Sequence, residues 1–352
     1  MDDDTADGSD DGRVDGDDAG DTTETDDTAE GLTYAEAGVD VGASEAATAA
    51  LVSAADSQGA DGTYAGLIEA GDGYLGLATD GVGTKLLVAE ALSDYSTVGI
   101  DCVAMNANDL VAAGVEPAAF VDYLAVEEPG EDVAEQIGEG LAVGAERAGV
   151  ALLGGETAVM PEVIRDLDLA GTCAGFATDA DLFPGVAQPG DALVGWPSSG
   201  IHSNGLTLAR EAVTRDHEYT DPCPFGDYDT LGAALLEPTR IYADLLEPMR
   251  THGVRAAAHV TGGGWGNLER LGDHAYRVDD PCPAQPVFEF VREAGGVSDA
   301  EMHRTFNVGT GFVAALPPAE ADDLAATTDG RVVGRVAETD GDATVSIRGL
   351  EL

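Results

Sequence analysis

The feature that most constrains this chain is a repeated local order: an apolar, β-rich run, then a glycine-rich turn, then a helical stretch. Tyr74 to Thr79 predicts a strand that runs into Asp80-Gly81-Val82-Gly83-Thr84-Lys85. Val150 to Leu153 predicts a buried strand ending at Gly154-Gly155-Glu156-Thr157, and Ala192 to Gly195 predicts one upstream of Ser199–Gly205. Val260 leads into Thr261-Gly262-Gly263-Gly264. Helical spacing lies between these runs. Ser96 to Ala113 predicts a helix stopped by Gly114. In Glu131 to Ala148 the apolar residues Val133, Ile137, Leu141 and Ala145 recur every four positions, with Gly149 behind them. Further helices are predicted from Ser44 as a cap to about Ala55, from His202-Ser203-Asn204 onward, over Thr239 to Arg250, and directly after Gly264. Late strands are predicted at Phe312–Leu316 and Gly330–Gly334. A Pro/Gly-rich break lies near Thr178 to Asp191. The fold class is therefore α+β, with two α/β domains at 32–178 and 179–352. Residues 1–31 are low-complexity, Asp-rich and nearly devoid of apolar side chains, so they read as a disordered acidic tail.

Charge excludes several functions. The chain carries 67 acidic against 16 basic residues, a formal net charge of -51. Such a field repels nucleic acid, whose binding rests on Lys and Arg at phosphates, and it disfavours anionic lipid. An acidic function such as metal buffering is one reading. Adaptation to a salty cytoplasm is the favoured one, because the acids are spread along the whole chain and screening at molar salt tolerates them. The scarcity of lysine agrees: Lys85 stands alone among the 16 basic residues. No run approaches the ~18 apolar residues of a membrane span, and no secretory leader is evident, so the cytosol is expected. Cys102, Cys173, Cys223 and Cys282 form no C-x-x-C pair and read as free thiols.

Four segments carry chemistry. In Asp80–Lys85, Gly81 and Gly83 let backbone N–H groups approach an anion, Thr84 adds a hydroxyl, Asp80 can hold Mg²⁺, and Lys85 can neutralise phosphate. The alternative is a hairpin turn with a surface lysine. Asp101 and Asn108 lie seven apart on one helical face with Asp109 beside it, and Glu156 closes a strand. Asp80, Asp101, Asp109 and Glu156 are hard oxygen donors suited to Mg²⁺, unless they are a solvated capping set. Ser199, Gly200, His202, Ser203 and Asn204 open one helix, and Thr261, Gly262, Gly263 and Gly264 open another. Both read as anion sites for a phosphorylated substrate, or as ordinary capped loops.

In this order the segments resemble the phosphoribosylformylglycinamidine cyclo-ligase (AIR synthetase) family. The matching stretches are Tyr34–Asp40, Thr79–Lys85, Gly99–Asp101, Asn108–Leu110, Gly154–Thr157, His202–Gly205, Pro238–Tyr242, His259–Gly264 and Arg304–Asn307. The resemblance implies ATP-dependent ring closure of formylglycinamidine ribonucleotide to aminoimidazole ribonucleotide in purine biosynthesis, with ATP and Mg²⁺ as cofactors. It also implies a homodimer whose N-terminal sheets join in an intersubunit β-barrel. Asp80, Lys85 and Asp109 carry over, with His202 as a further catalytic candidate. The family often has a basic residue where this chain has Ala35, and a longer Gly-rich loop than Gly59–Gly66. Other ATP-using members of the superfamily are the alternative, thiamine-monophosphate kinase first among them. A selenophosphate synthetase would want a reactive Cys earlier than Cys102, and a hydrogenase maturation factor a C-terminal Cys tail.

Overall fold

The computed structural model describes residues 31–39, 41–54 and 64–352. The expected acidic tail at 1–31, apart from Gly31, lies outside the described residues, as do Asp40 and the loop at 55–63. The chain order begins with α1 (Val41–Ala54), β1 (Gly66–Ala70), β2 (Gly73–Gly81), α2 (Leu86–Leu92), α3 (Val98–Ala112), β3 (Glu116–Val126), α4 (Glu131–Ala148), β4 (Ala151–Val159) and β5 (Leu167–Ala177). It continues with β6 (Ala192–Pro197), α5 (Leu206–Thr214), α6 (Leu231–Leu235), α7 (Leu246–Thr251), β7 (Ala256–His259), β8 (Ala275–Val278), α8 (Pro286–Gly295) and α9 (Asp299–Thr305). The last elements are β9 (Thr310–Leu316), α10 (Pro318–Thr327), β10 (Arg331–Ala337), β11 (Thr344–Ile347) and β12 (Leu350–Glu351).

The N-terminal sheet runs β1-β2-β5-β3-β4, antiparallel except for the parallel pair β3/β4. Alternation along its strands sends Ala78, Phe120, Leu124, Leu169 and Cys173 inward, toward α3. Leu77, Val121, Tyr123 and Phe176 point to the other face and are exposed. Helix α3 is sandwiched between this sheet, α4 and the C-terminal domain, so every one of its residues except Asp109 is buried. Gly99 of α3 lies against Gly140 of α4, and a Cβ on either would meet the facing backbone. The C-terminal sheet runs β12-β11-β8-β10-β6-β9-β7, mixed by one parallel pair, β11/β8. Its strand β9 is buried at every position.

Four local expectations differ. The apolar run at 150–153 is not a buried strand: β4 is a sheet edge, with Leu153 69% exposed, and it continues through Gly154–Glu156. Thr239–Arg250 is not one helix. Residues 239–242 are extended or irregular, followed by a 3₁₀ turn and the short α7, because the Thr239 and Tyr242 N–H groups go to side chains of α3 and not to a helical ladder. The helix after Gly264 is 3₁₀ over Gly264–Leu271. Ser44 lies inside α1, which starts at Val41. Residues 31–39 also dock on the C-terminal half: Leu32 N–H donates to Gly295 O at 3.2 Å and Tyr34 N–H to the Glu301 carboxylate at 2.7 Å.

Candidate functional site

The site grows from three turns that meet at α3. The end of β2 delivers Asp80, and Gly83 turns the chain with φ +70° into a 3₁₀ turn, Gly83–Lys85. Val82 N–H is anchored on Leu169 O at 2.9 Å, and the Thr84 hydroxyl meets Thr207, at the start of α5, at 3.0 Å. Lys85 does not face the turn's open side. Its side chain is fully buried, with Nζ 2.9 and 2.8 Å from the two Asp101 oxygens and 2.7 Å from Glu237 O. Burial lowers its pKa, and the Asp101 charge opposes that shift. Asp101 Oδ1 also accepts the Thr239 N–H at 2.7 Å and the Thr239 hydroxyl at 2.6 Å. Two residues of the first domain thereby clamp the 237–239 segment of the second.

A second clamp lies one helical step on. Asn108 Oδ1 accepts the Tyr242 N–H at 2.8 Å, and its amide nitrogen donates to Arg240 O at 2.9 Å while facing His259 Nε2 at 3.3 Å. A donor opposite Nε2 makes that nitrogen the acceptor and puts the His259 proton on Nδ1, 3.1 Å from Asp109 Oδ1. Asp109 is the one residue of α3 that reaches the surface, with its side chain 19% exposed. Asp80 adjoins it. Desolvation raises the Asp80 carboxyl, its bond from the Gly81 N–H opposes this, and the Asp109 charge adds to the rise. The result is two neighbouring carboxylates at the cleft mouth, one held from behind by a buried histidine.

The third part comes from the C-terminal domain. Ser199, Gly200 and Ile201 are tied down by Ser199 Oγ to Pro238 O at 2.6 Å and by Asn307 Nδ2 to the Gly200 and Ile201 carbonyls at 3.0 and 3.2 Å. Ser203 reaches Thr239 at 3.4 Å, and Asn204 reaches Met105 of α3 at 3.5 Å and lies beside Gly262. Asn267 Nδ2 closes the glycine turn through the carbonyls of Gly262 and Gly264. Gly263 and Gly264 both adopt positive φ, +89° and +53°, the left-handed region that glycine enters at no steric cost.

The amino-acid sequence places this arrangement among known proteins. Residues 62–177 match the N-terminal domain of AIR synthase related proteins, and residues 188–346 match the C-terminal domain. The phosphoribosylformylglycinamidine cyclo-ligase of Methanosarcina mazei is 45% identical over 318 residues, covering 88% of this chain and 96% of that protein. The chain belongs to the phosphoribosylformylglycinamidine cyclo-ligase family. The fold is also that of more distant proteins. The structure of AaThiL complexed with AMPPCP and TMP has a TM-score of 0.65 at 17% identity, over 87% of this chain and 93% of that one. Thiamine monophosphate kinase from Aquifex aeolicus gives 0.63 at 16% identity, over 87% and 97%.

Within this cyclo-ligase framework the expected site residues separate into groups. Asp80, Gly81, Gly83, Thr84 and Asp109 lie at the junction of the two domains, with Asn204 and Gly262 bordering it. Lys85, Asp101 and Asn108 are beneath it, consumed in interdomain bonds, so Lys85 is no mobile cation and Asp101 no free metal ligand. Glu156 is displaced from the other acids. Asp80 lies opposite Gly171, Gly171 opposite Asp122, and Asp122 opposite Gly155. Three strand spacings, roughly 14 Å, therefore separate Glu156 from Asp80. Glu156 also pairs with Tyr123, on the face turned away from α3. Among the described residues no three His, Cys, Asp or Glu side chains group as a metal site. His202 is fixed inside the protein as well. Its Nε2 accepts the N–H groups of Ser199 at 3.1 Å and Arg240 at 3.5 Å, and burial holds its pKa well below 6.5, with His259, Lys85 and Arg240 adding to the shift. With Nε2 accepting, its proton sits on Nδ1, which has no hydrogen-bond partner among the described residues, and the two bonds to Nε2 tie the loops at 199 and 240 together. His259, Thr239 and Tyr242 were not among the expected site residues. They occur in the quoted stretches Pro238–Tyr242 and His259–Gly264, and a polar residue inside such a stretch was the available signal.

Proposed function

We propose that this chain closes the imidazole ring of aminoimidazole ribonucleotide from formylglycinamidine ribonucleotide, using ATP and releasing ADP and phosphate. The observation that carries the reading is the 45% identity to cyclo-ligases over nearly the whole chain, and the site's chemistry suits it. The γ-phosphoryl of ATP activates the formamide oxygen, the neighbouring nitrogen attacks, and phosphate leaves. No protein nucleophile is required. The buried thiols agree, since burial pushes Cys173 up to about 12 and Cys102 higher still. What the reaction needs is placement and charge neutralisation.

Mg²⁺ fits Asp80 and Asp109. This ion usually takes one or two carboxylates and completes its shell with substrate phosphates and water. When bound with ATP it would supply neutralisation of the phosphate charge. The chain's own residues do the rest: the Gly81–Thr84 turn offers backbone N–H groups, His259 fixes the Asp109 carboxylate, and the buried Lys85–Asp101–Thr239 clamp sets the distance between the two domains. The exposed Leu77, Val121, Tyr123 and Phe176 form an apolar outer sheet face, which supports a homodimer closed through the N-terminal sheets, and the net charge of -51 supports work in a salty cytosol. ADP release in molar KCl tests the activity, with formylglycinamidine ribonucleotide compared against thiamine monophosphate. Turnover of the second alone would replace this reading with a kinase of the same fold.

A further inference from the structure

Helix α3 buries a third polar side chain that the two domain clamps leave unexplained. Asp101 and Asn108 reach across the junction and hold the 237–242 segment of the second domain. Asn106 is also fully buried, but it turns to the sheet of its own domain. Its Nδ2 donates to Cys102 O, one turn back, at 2.8 Å and to Asp80 O, at the end of β2, at 3.2 Å. The surroundings permit only this orientation of the amide: flipped, Oδ1 would face two carbonyl oxygens, and none of the three can donate. Oδ1 is then buried with no hydrogen-bond partner among the described residues. An unpaired buried oxygen costs stability, and a leucine of the same branched shape would avoid that cost. A position that breaks a local packing rule in this way is expected where a side chain serves a site.

What Asn106 holds is the backbone of Asp80. Strand β5 fixes this strand end sideways, since Asp80 pairs with Gly171 and the Val82 N–H donates to Leu169 O at 2.9 Å. Those contacts do not tie it to α3, and Asn106 supplies that tie. Asp109 follows three residues later, a neighbouring position around the same helix. Helix α3 therefore places both carboxylates, Asp109 through its own backbone and Asp80 through Asn106. The side chains are restrained in turn, Asp80 by the Gly81 N–H at 2.7 Å and Asp109 by His259 Nδ1 at 3.1 Å. The gap between the two carboxylates is thus set before any ligand arrives. A small divalent cation that demands near-ideal octahedral geometry is the ligand most sensitive to such a gap.

We propose that Asn106 is a positioning residue for this carboxylate pair, holding Asp80 at the distance from Asp109 that a divalent cation requires. The inference rests on the reading of Asp80 and Asp109 as the Mg²⁺ site. Calorimetric titration of the full chain with Mn²⁺ in molar KCl reads the pair without turnover, because salt at that concentration screens the remaining acids. Binding to the unaltered protein and its loss in Asp109→Asn identify the site. Asn106→Leu keeps the side chain's shape and removes the donor. It should weaken Mn²⁺ roughly ten-fold, the lower end of what an outer-shell partner contributes, while the urea unfolding midpoint moves little. In turnover the Mg²⁺ midpoint should rise by a similar factor, with KM for formylglycinamidine ribonucleotide unmoved. Should Asn106→Leu fail to fold, Asn106→Ala removes the same donor without added bulk and carries the same expectation. Unchanged Mn²⁺ affinity in a folded Asn106 variant, with binding still lost in Asp109→Asn, overturns the assignment and leaves the metal site standing. No Mn²⁺ binding, or binding that Asp109→Asn does not touch, overturns both. A rise in KM for the ribonucleotide as large as the rise in the Mg²⁺ midpoint would mean that the variant loosens the whole junction, and it overturns the positioning role.

Discussion

Replacing Lys85 should unfold the interdomain clamp before it touches the chemistry. Lys85 and Asp101 are both fully buried, with contacts of 2.9 and 2.8 Å. At an effective dielectric of 20 their gross attraction is roughly 6 kcal/mol, and most of that offsets the desolvation of two ions. Removing one partner is another matter, since it strands the other as an uncompensated buried charge at a cost of about 3–5 kcal/mol. Lys85→Met should therefore lower the unfolding free energy by that amount, measured by urea titration in molar KCl. Lys85→Met/Asp101→Asn should recover much of the loss, because the neutral amide oxygen still accepts from Thr239 and no lone charge remains. The double change should cost less than the sum of the singles by about 1–3 kcal/mol. If Lys85→Met keeps wild-type stability within about 0.5 kcal/mol and yet abolishes turnover, the ammonium serves the phosphates and the clamp argument is wrong.

Two further outcomes are expected. His202 is held neutral by burial well below the ordinary 6.5, so the unfolded chain takes up a proton that the folded chain refuses. Its contribution is intact above about pH 6.5 and is lost as pH falls, by up to about 1.4 kcal/mol per unit. His202→Gln should flatten that part of the stability–pH curve, and parallel curves for the two proteins would count against it. His259→Gln should weaken the Mg²⁺ dependence of turnover by about 10–100-fold, the usual effect of removing a group that orients a ligand. An unmoved Mg²⁺ midpoint would mean that His259 only fills space.

The family, the two-domain order and the main strands and helices around the site were legible because they depend on local pattern. Glu131–Ala148 shows its four-residue apolar spacing and is helix α4 to the residue. Asp80 stands at the end of an alternating run and is found at the end of β2. Motifs in a specific order also sufficed to identify the family. Bonding across the domain junction was not legible. Asp101, Asn108 and Asp109 look alike on one short stretch of α3, yet the first two are sealed under the C-terminal domain and only the third reaches the cleft. Their partners Thr239, Tyr242 and His259 lie 138, 134 and 150 residues away, a separation at which no spacing rule operates. Glu156 failed for a related reason: its strand was foreseen, but only the sheet's pairing order puts it three strands from Asp80 and on the opposite face. The sequence by itself determined which side chains could do phosphate and metal chemistry, because that is a property of residue type and local turn. Tertiary structure alone decided which of them meet solvent, because desolvation and pairing depend on what the other domain lays over them. Lys85 shows the difference: the chain's one lysine is spent on holding the two domains together.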